Sequence, residues 1–435
     1  MAATSAENGL PSRRAALAIL EQVRAGRPFD AALDQALGPL PEPDRRLAHE
    51  LAAGVLRQRT GLDERLQPLT ARGWAGVPPT LQNILRLGAY QLTALDRVPP
   101  HAAVSTSVAL AREAGGARAG GFVNALLRRL GREPPRKRKG AGPLDLAARH
   151  SHPEWLVRRW LDRFGPDDTD RLLRWNNARP ALVLQPARAS GEAITRRLAA
   201  AGIRASPAPW GAGVAVKASR PDRLPGYAEG DFVVQDPAQS LVAWFAAIPP
   251  ASLVYDACAA PGGKAIGLAR TGVRVLAADL GRPRVARLRE NLRRAGTGRE
   301  LVIVADARHP PVGSTDAVLL DAPCLGTGTF ARHPDARWRV TPDALAALAE
   351  RQAELLAAGA DAVRPGGWLV YATCSLEPEE NELQVERFLR THRGFRREPP
   401  DDLPPPLLTE KGDLMTLPQR DRMDGAYAAR LRRVG

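Results

Sequence analysis

The chain has three cysteines, Cys258, Cys324 and Cys374, and none of them lies in its N-terminal half. They occur in the segments DACAAPGGK, DAPCLGTGT and YATCSLEPEENE. A thiolate is a strong nucleophile, and a helix N-terminus or a nearby cation lowers the pKa of its thiol. A buried cysteine can instead be only a small apolar side chain, so the residue type alone leaves both roles open. Two cysteines near neighbouring strand ends, Cys324 and Cys374, fit the need for a nucleophile and for a second group that assists product release.

Polar residues end five successive apolar runs in the C-terminal half of the chain. The runs LVYD, VRVLAAD, LVIVAD, DAVLLD and WLVYATC end at Asp256, Asp279, Asp306, Asp321 and Cys374. In an open parallel sheet, ligands bind outside the carboxyl ends of the strands, so we predict that these side chains converge on one crevice. A single aspartate at a strand end commonly caps a helix or a turn. Five such ends in succession favour a binding site.

The loop DACAAPGGKAIGLA resembles a nucleotide-binding turn. Gly262 and Gly263 allow a close approach of the backbone to a ligand, directly before a helix whose N-terminus supplies free amides. The loop is not a Walker A motif, because Cys258 replaces its first glycine and Ala265 follows Lys264, and it lacks GxGxxG. Asp279, about twenty residues further on, is placed to accept hydrogen bonds from ribose hydroxyls. The pattern predicts an adenosine-containing cofactor and leaves NAD, ATP and S-adenosylmethionine open.

The two remaining cysteine motifs decide among these cofactors. Carbon 5 of cytosine is a poor nucleophile, and a thiolate that adds to carbon 6 makes the ring enamine-like and able to attack a sulfonium methyl group. We therefore favour S-adenosylmethionine, with one of the two cysteines as the attacking thiolate. Methylation of an exocyclic amine is disfavoured, because 321–324 reads Asp-Ala-Pro-Cys rather than Asn/Asp-Pro-Pro-aromatic. The glycine pattern disfavours a dehydrogenase, and a non-catalytic RNA-binding or antitermination-like factor stays open.

The elements that must position these residues divide the chain into three domains. Residues 1–133 predict an all-α domain, because apolar residues recur at helical spacing with breaks at Pro and Gly. Residues 134–144 contain RKRK and predict an exposed basic linker. Residues 145–240 mix helices with short strands, which predicts a small α+β module. Residues 241–435 alternate short apolar runs with helices, which is typical of an α/β domain with a doubly wound parallel sheet.

The charge and the composition of the chain limit the kinds of binding partner to be expected. Lys and Arg total 62 against 47 for Asp and Glu, a net charge of +15. Such a surplus favours a polyanion such as RNA, although a solvated arginine-rich surface also accounts for it. No apolar run approaches the roughly 20 residues that a membrane helix needs. Three cysteines without a CxxC pair argue against a disulfide framework and a zinc site. We expect a cytoplasmic monomer that binds no membrane and no metal.

Taken together, these segments resemble the bacterial ribosomal RNA cytosine-5 methyltransferases of the Sun/Fmu (RsmB) type, within the NOL1/NOP2/Sun family. The motifs occur in the order found in that family, and FVVQDPAQS precedes them. The segments NILRLGAYQL, HAAVSTSVALA and GFVNALLRRL resemble a NusB-type RNA-binding domain. The resemblance implies a Rossmann-like methyltransferase domain preceded by a NusB-like domain and an α+β RNA-binding module. It also implies a cytosine of 16S ribosomal RNA as the target.

The resemblance further implies a role for each motif residue. Cys374 is the nucleophile, Cys324 helps to resolve the adduct, and Asp321 lies between cofactor and base. The residues implied to hold the cofactor are Cys258, Ala259, Ala260, Pro261, Gly262, Gly263, Lys264, Asp279 on the ribose, Asp306 near the adenine, and Asp321. Two segments depart from the family pattern, which leaves the placement of the RNA open. ALVLQPAR at 181–188 lacks a usual Arg-x-Asn ending, and 426–427 reads Ala-Tyr where two phenylalanines are common.

Overall fold

The computed structural model of the chain describes residues 9–71, 73–134, 140, 142–217, 220–298 and 300–434. The predicted basic run RKRK at 136–139 lies outside these residues. Tertiary contacts divide the chain into two compact units, Met1–Ala178 with Phe330–Arg339 and Arg179–Thr329 with Val340–Gly435. This division groups 145–178 with the helical unit, whereas the sequence pattern groups them with the α+β module. The predicted domain bounds stay predictions. No helix in the described ranges combines the length and the apolar character needed to cross a membrane.

The first unit is built from helices throughout its described part. The α-helices are α1 (Leu10–Arg24), α2 (Phe29–Leu37), α3 (Glu42–Leu66), α4 (Pro79–Ala94), α5 (Pro100–Leu130), α6 (Pro143–His150) and α7 (Glu154–Asn177). Buried side chains follow the helical period, as Leu51, Val55, Leu62 and Leu66 do on α3. Helices α4, α5 and α6 begin with proline, whose fixed φ suits the first helical position and whose missing N–H is not needed there.

The segment Phe330–Arg339 belongs to this helical unit, although the residues before and after it in the sequence belong to the second unit. Arg337 is fully buried and donates a hydrogen bond to the Asn176 carbonyl oxygen at 2.7 Å. Burial lowers the pKa of Arg337 to about 9. Trp338 Nε1 donates to the Leu56 carbonyl oxygen at 2.8 Å. These contacts hold the segment against α3 and α7.

The second unit begins with a small antiparallel sheet. Its elements are β1 (Leu182–Pro186), α8 (Gly191–Ala200), β2 (Ala205–Pro207), β3 (Val214–Val216) and β4 (Phe232–Val234). The strand order is β2-β3-β1-β4. Ser190 caps α8 by accepting a hydrogen bond from the Ala193 N–H, which satisfies one of the free amides of the first turn.

A larger mixed sheet forms the rest of the second unit. Its elements are α9 (Pro237–Ala246), β5 (Leu253–Asp256), α10 (Gly263–Arg270), β6 (Arg274–Asp279), α11 (Arg282–Ala295), β7 (Glu300–Val304), β8 (Thr315–Asp321), α12 (Pro342–Asp361), β9 (Val363–Thr373), α13 (Glu382–Thr391), β10 (Phe395–Arg397), β11 (Leu414–Thr416), α14 (Pro418–Asp421) and β12 (Ala426–Arg433). The strand order is β10-β12-β9-β8-β5-β6-β7, and β11 pairs with β12. Strands β5 to β9 pair in parallel, whereas β10, β11 and β12 form an antiparallel edge. The predicted Rossmann-like fold is confirmed, and the antiparallel edge extends it.

Both faces of the parallel strands are covered. Along β8, Ala317 and Leu319 pack with residues of α9, α10 and α11. Val318 and Leu320 point to the opposite face and pack with residues of α12 and α13. Strands buried on both faces must be apolar at almost every position, which is why they appear in the sequence as short continuous apolar runs. The polar residues are therefore left to the strand ends.

Candidate active site

The carboxyl ends of β5, β6, β8 and β9 lie at one edge of the parallel sheet. Asp256, Asp279 and Asp321 are the last residues of β5, β6 and β8, and Cys374 directly follows the last residue of β9. The register places Asp256 beside Leu319 of β8, and Asp321 of β8 beside Ala372 of β9. Asp306 differs from this group, because it lies two residues beyond the end of β7 at Val304.

The loop between β5 and α10 folds back over the end of β6. The Ala259 N–H donates to the Ala278 carbonyl oxygen at 2.8 Å, and the Ala260 N–H donates to Asp279 Oδ2 at 3.3 Å. Gly262 has φ +112°, which disfavours a side chain at this position. A Cβ at Gly263 would lie 2.7 Å from Nε2 of Gln235, so a glycine is needed unless that side chain moves. The first turn of α10 therefore presents its free backbone amides beside the strand ends.

Lys264 and Asp321 form an ion pair in the centre of the site. Lys264 is only 8% exposed, and its Nζ donates to Asp321 Oδ2 at 2.8 Å. The same ammonium donates to Gln239 Oε1. A charged group this buried needs partners, since removal from water disfavours it strongly. The ion pair therefore fixes the Lys264 side chain next to the end of β8.

Asp256 is fully buried beside this pair, and neither of its carboxylate oxygens accepts a hydrogen bond from a side chain among the described residues. Burial, and then the charge of Asp321, raises its pKa to about 8. The same two influences, again with burial first, raise the pKa of Cys258 to about 12. Cys258 is thus a protonated thiol at neutral pH, unlike an activated nucleophile.

Asp279 and Asp306 are each paired with an arginine. Asp279 is 5% exposed and forms an ion pair with Arg284, in which Nη2 lies 2.9 Å from Oδ2. Arg308 donates from Nη2 to Asp306 Oδ2 at 2.6 Å and from Nε to both carboxylate oxygens. Hydrogen bonds from the Arg308 side chain and backbone lower the pKa of Asp306 to about 2. Asp306 is therefore an anionic hydrogen-bond acceptor at neutral pH.

The thiols of Cys324 and Cys374 face each other. Their Sγ atoms are 3.4 Å apart, and the Cys374 N–H donates to Cys324 Sγ at 3.4 Å. Both residues are partly exposed. The contact with Cys374, together with burial, raises the pKa of Cys324 well above its usual value. The arrangement thus sets a protonated thiol beside the sulfur of Cys374.

Backbone contacts join the two cysteine loops. The Gly328 N–H donates to the Cys374 carbonyl oxygen at 3.0 Å, and the Leu376 N–H donates to Thr327 Oγ1 at 2.8 Å. The Gly425 N–H donates to the Gly328 carbonyl oxygen at 2.9 Å. A Cβ at Gly328 would lie 2.7 Å from the Gly425 Cα, so the loops leave no room for a side chain there.

Sequence reasoning missed four polar residues that support the site: Gln235, Gln239, Gln352 and Glu380. Gln235 and Gln239 lie close to Gly263 and Lys264, as described above. Gln352 and Glu380 contact the backbone on either side of Cys324. The only signal for Gln352 was a polar residue on an otherwise apolar helix face. Glu380 lies within the segment EPEENE, which contains several glutamates, and the sequence does not indicate which of them supports the site.

The arrangement fits an adenosine-containing cofactor. The glycine turn at Gly262 and Gly263 leaves space for a ligand against the free amides of α10. Asp279, at the end of the next strand, supplies a carboxylate that can accept hydrogen bonds from the hydroxyl groups of a ribose. Asp256 holds two buried oxygens that no side chain in the described part of the chain binds. Among the described residues, no group of His, Cys, Asp and Glu is arranged to hold a metal ion.

Comparisons with known proteins cover nearly the whole chain. The model of the family "16S rRNA methyltransferase RsmB/F" matches 246–432, that of the NusB family matches 10–132, and that of an RsmF/B-like ferredoxin-like domain matches 152–221. A probable ribosomal RNA small subunit methyltransferase B of Synechocystis sp. is 36% identical over 98% of this chain and 100% of its own length. The ribosomal RNA small subunit methyltransferase B of Vibrio cholerae is 36% identical over 95% of each chain.

Solved structures agree with these matches. The crystal structure of PH0851 superposes with a TM-score of 0.82 at 25% identity, covering 97% of this chain and 98% of the other. NSun6 from Pyrococcus horikoshii with SFG has a TM-score of 0.59 at 19% identity and covers 65% of this chain and 98% of the other, which shows a shared fold. The predicted NusB-like domain and the predicted cofactor, S-adenosylmethionine, are confirmed. The chain belongs to the RsmB/F family of 16S rRNA methyltransferases.

Proposed function

We propose that this chain methylates carbon 5 of a cytosine in small-subunit ribosomal RNA through a covalent adduct between Cys374 and carbon 6. The observation that carries the proposal is the facing pair of thiols, 3.4 Å apart, at the ends of neighbouring strands. Methylation of an exocyclic amine needs no thiol, whereas addition to carbon 6 needs a nucleophile and a group that assists its release. The net charge of +15 supports an RNA substrate, whose setting is the cytoplasm.

We propose that residues 258–264 and Asp279, Asp306 and Asp321 hold the cofactor. Asp279 binds the ribose and Asp306 lies near the adenine. Lys264 orients Asp321 through their 2.8 Å ion pair. Asp321 then contacts the cytosine edge or the methionine part of the cofactor. Asp279 and Asp306 are bound to Arg284 and Arg308, so cofactor binding involves a rearrangement or sharing of these two pairs.

The chain's own residues carry the covalent chemistry. Bound S-adenosylmethionine supplies the methyl group that carbon 5 acquires. The Cys374 thiolate forms a bond to carbon 6, and the electron pair of the carbon 5–carbon 6 double bond becomes available at carbon 5. After methylation, loss of the carbon 5 proton to a base restores the double bond and expels the Cys374 thiolate. Cys324 assists this second step, and Cys374 is free for the next cycle.

Two cysteine variants test the proposal with separate outcomes. Cys374→Ala should abolish methyl transfer to unmodified small-subunit ribosomal RNA, because no adduct can form. Cys324→Ala should accumulate a methylated RNA–protein complex that survives denaturation, because release is slowed. Ser314→Ala, an exposed position away from the site, serves as the matched control and should behave like the wild type.

The measurements are incorporation of labelled methyl groups, denaturing gels for the complex, and bisulfite mapping of the product RNA. The reverse pattern of the two variants would exchange the assigned roles and contradict the proposal. If the product RNA carried the methyl group on a nitrogen of cytosine instead of on carbon 5, the proposed reaction would be contradicted. No incorporation under conditions where RNA and cofactor both bind would favour the non-catalytic RNA-binding alternative.

A further inference from the structure

Two buried side chains, Gln352 of α12 and Glu380 of the turn before α13, bind the backbone on both sides of Cys324. Gln352 Nε2 donates to the Pro323 carbonyl oxygen at 2.9 Å. The Leu325 N–H donates to Glu380 Oε1 at 3.0 Å. We propose that Gln352 and Glu380, here called the clamp, position the Cys324 thiol for release of the covalent RNA adduct. The inference rests on the proposed function, because that function assigns the release step to Cys324.

The clamp is a closed set of hydrogen bonds with no access to water. Gln352 and Glu380 are both 0% exposed, and Gln352 Nε2 also donates to Glu380 Oε1 at 3.0 Å. The Leu325 N–H reaches the second carboxylate oxygen as well, at 3.3 Å. Buried polar groups are stable only when satisfied, so each bond fixes the position of its partners. Cys324 therefore lies between two anchored peptide groups.

A third residue ties the clamp to the strand that carries Cys374. The Tyr371 hydroxyl, on β9, lies 2.6 Å from the Glu380 carbonyl oxygen and 3.1 Å from Gln352 Oε1. Tyr371 is fully buried and is three residues before Cys374, which directly follows β9. The clamp thus relates the backbone of Cys324 to the strand end of Cys374, which accounts for the 3.4 Å contact of the two sulfur atoms.

The negative charge of Glu380 also supports a role of the clamp in release of the adduct by Cys324. Burial raises the pKa of Glu380 to about 6, so this carboxyl is largely ionised at neutral pH. Its negative charge is one of the influences that raise the pKa of Cys324. A protonated Cys324 can donate a hydrogen bond to the Cys374 sulfur as the bond from that sulfur to carbon 6 breaks. A thiolate at Cys324 has no proton to donate and repels the departing sulfur.

The variant Gln352→Leu removes the amide and keeps a side chain of similar size. Gln384→Leu is the matched control, because Gln384 is also buried and donates one 2.8 Å bond to a backbone oxygen, that of Ala349. In single-turnover reactions with cofactor and ribosomal RNA, we expect Gln352→Leu to form the methylated covalent complex, with a smaller loss of rate in its formation than in its release. We expect it to release the RNA about tenfold to a hundredfold more slowly, since misplacement of a catalytic group by about 1 Å can cost about a hundredfold in rate. Gln384→Leu should release at the wild-type rate.

Glu380→Gln is the second variant. It keeps an acceptor for the Leu325 N–H but loses the charge. We expect slower release at neutral pH, because a neutral amide accepts the hydrogen bond of the Leu325 N–H more weakly than a carboxylate does. We also expect the loss of any change in release rate between pH 5 and pH 7, the range in which a group of pKa about 6 titrates. A purely structural role for Glu380 would lower stability without this change in the pH profile. Wild-type release rates and an unchanged pH profile in both clamp variants would overturn the proposal.

A thiol measurement separates failure of the clamp from failure of the proposed function. The rate of Cys324 alkylation by iodoacetamide, followed by mass spectrometry, requires no RNA and no catalysis. We expect faster alkylation in Gln352→Leu than in Gln384→Leu, because the anchored backbone is released. Equal rates would overturn the clamp whatever the activity. Absence of methyl transfer in the wild type would instead remove the proposed function, while the alkylation rates still decide whether the clamp positions Cys324.

Discussion

The buried carboxyl of Asp256 makes the stability of the protein depend on pH in a way that one substitution removes. Its pKa is raised from 3.8 to about 8, mainly by burial. Between these two values the folded protein binds a proton that the unfolded chain releases. Stability contributed by this group is therefore complete below pH 3.8, falls as pH rises, and is lost once pH passes about 8. Asp256→Asn keeps the shape and removes the ionisation.

The magnitude follows from the size of the shift. One pKa unit corresponds to about 1.4 kcal/mol, so the wild type should lose about 3 kcal/mol of unfolding free energy between pH 5.5 and pH 8.5 through Asp256 alone. Asp256→Asn should lose none of this. Below pH 3.8 the two proteins should have similar stability, because the wild-type carboxyl is protonated in both the folded and the unfolded chain and resembles the amide. At pH 5.5 the variant should already be more stable by about 2 kcal/mol, because the unfolded wild type is ionised there. At pH 8.5 the variant should be more stable than the wild type.

Urea unfolding of the cofactor-free protein at several pH values tests this difference. Asp316→Asn is the control, since the Leu253 N–H and Arg364 bind the Asp316 carboxylate and lower its pKa. A lowered pKa contributes stability that is lost only as pH falls into the acid range, so this variant should differ from the wild type by a constant amount above pH 5. The reasoning is refuted if the difference between Asp256→Asn and the wild type is also constant over that range.

Two further predictions concern the cysteine loops. Gly328→Ala should lower the unfolding free energy by about 1–3 kcal/mol, because its Cβ meets the Gly425 backbone at 2.7 Å, whereas Gly313→Ala meets nothing within 4 Å and should change little. Urea unfolding of the two alanine variants compares them, and equal stabilities would contradict the packing argument. Diamide, which takes two electrons and two protons from a pair of thiols, should join Cys324 and Cys374, because their sulfur atoms need to approach from 3.4 Å to about 2.0 Å. Peptide mapping by mass spectrometry detects the bond, and its absence while the same diamide oxidises added glutathione would contradict the facing arrangement.

The strand ends could be predicted from sequence, because the change from buried to exposed positions appears there as a change from apolar to polar residues. Strands covered on both faces must be apolar, so the first polar residue marks where each strand leaves the core. That rule located Asp256, Asp279 and Asp321 at the ends of β5, β6 and β8. It was less exact for Asp306, because β7 is the outer parallel strand and ends at Val304.

The clamp and the antiparallel edge could not be predicted, because both depend on partners far apart in sequence. The Gln352 amide and Pro323 are separated by 29 positions, and the Glu380 carboxyl and the Leu325 N–H by 55. Periodicity describes one element at a time and gives no information on such pairs. The same limit explains why 330–339 was expected in the methyltransferase domain, whereas Arg337 and Trp338 bind helices of the first unit.

The contacts between the cysteine loops bear on how any variant there should be interpreted. Each loop holds the backbone of the other, since Gly328 binds the Cys374 carbonyl oxygen and Leu376 binds Thr327. A displacement of one thiol is therefore transmitted to its neighbour through hydrogen bonds of about 3 Å. Loss of turnover alone cannot assign a residue to attack or to release. The covalent RNA complex can, because attack must precede it and release must follow it.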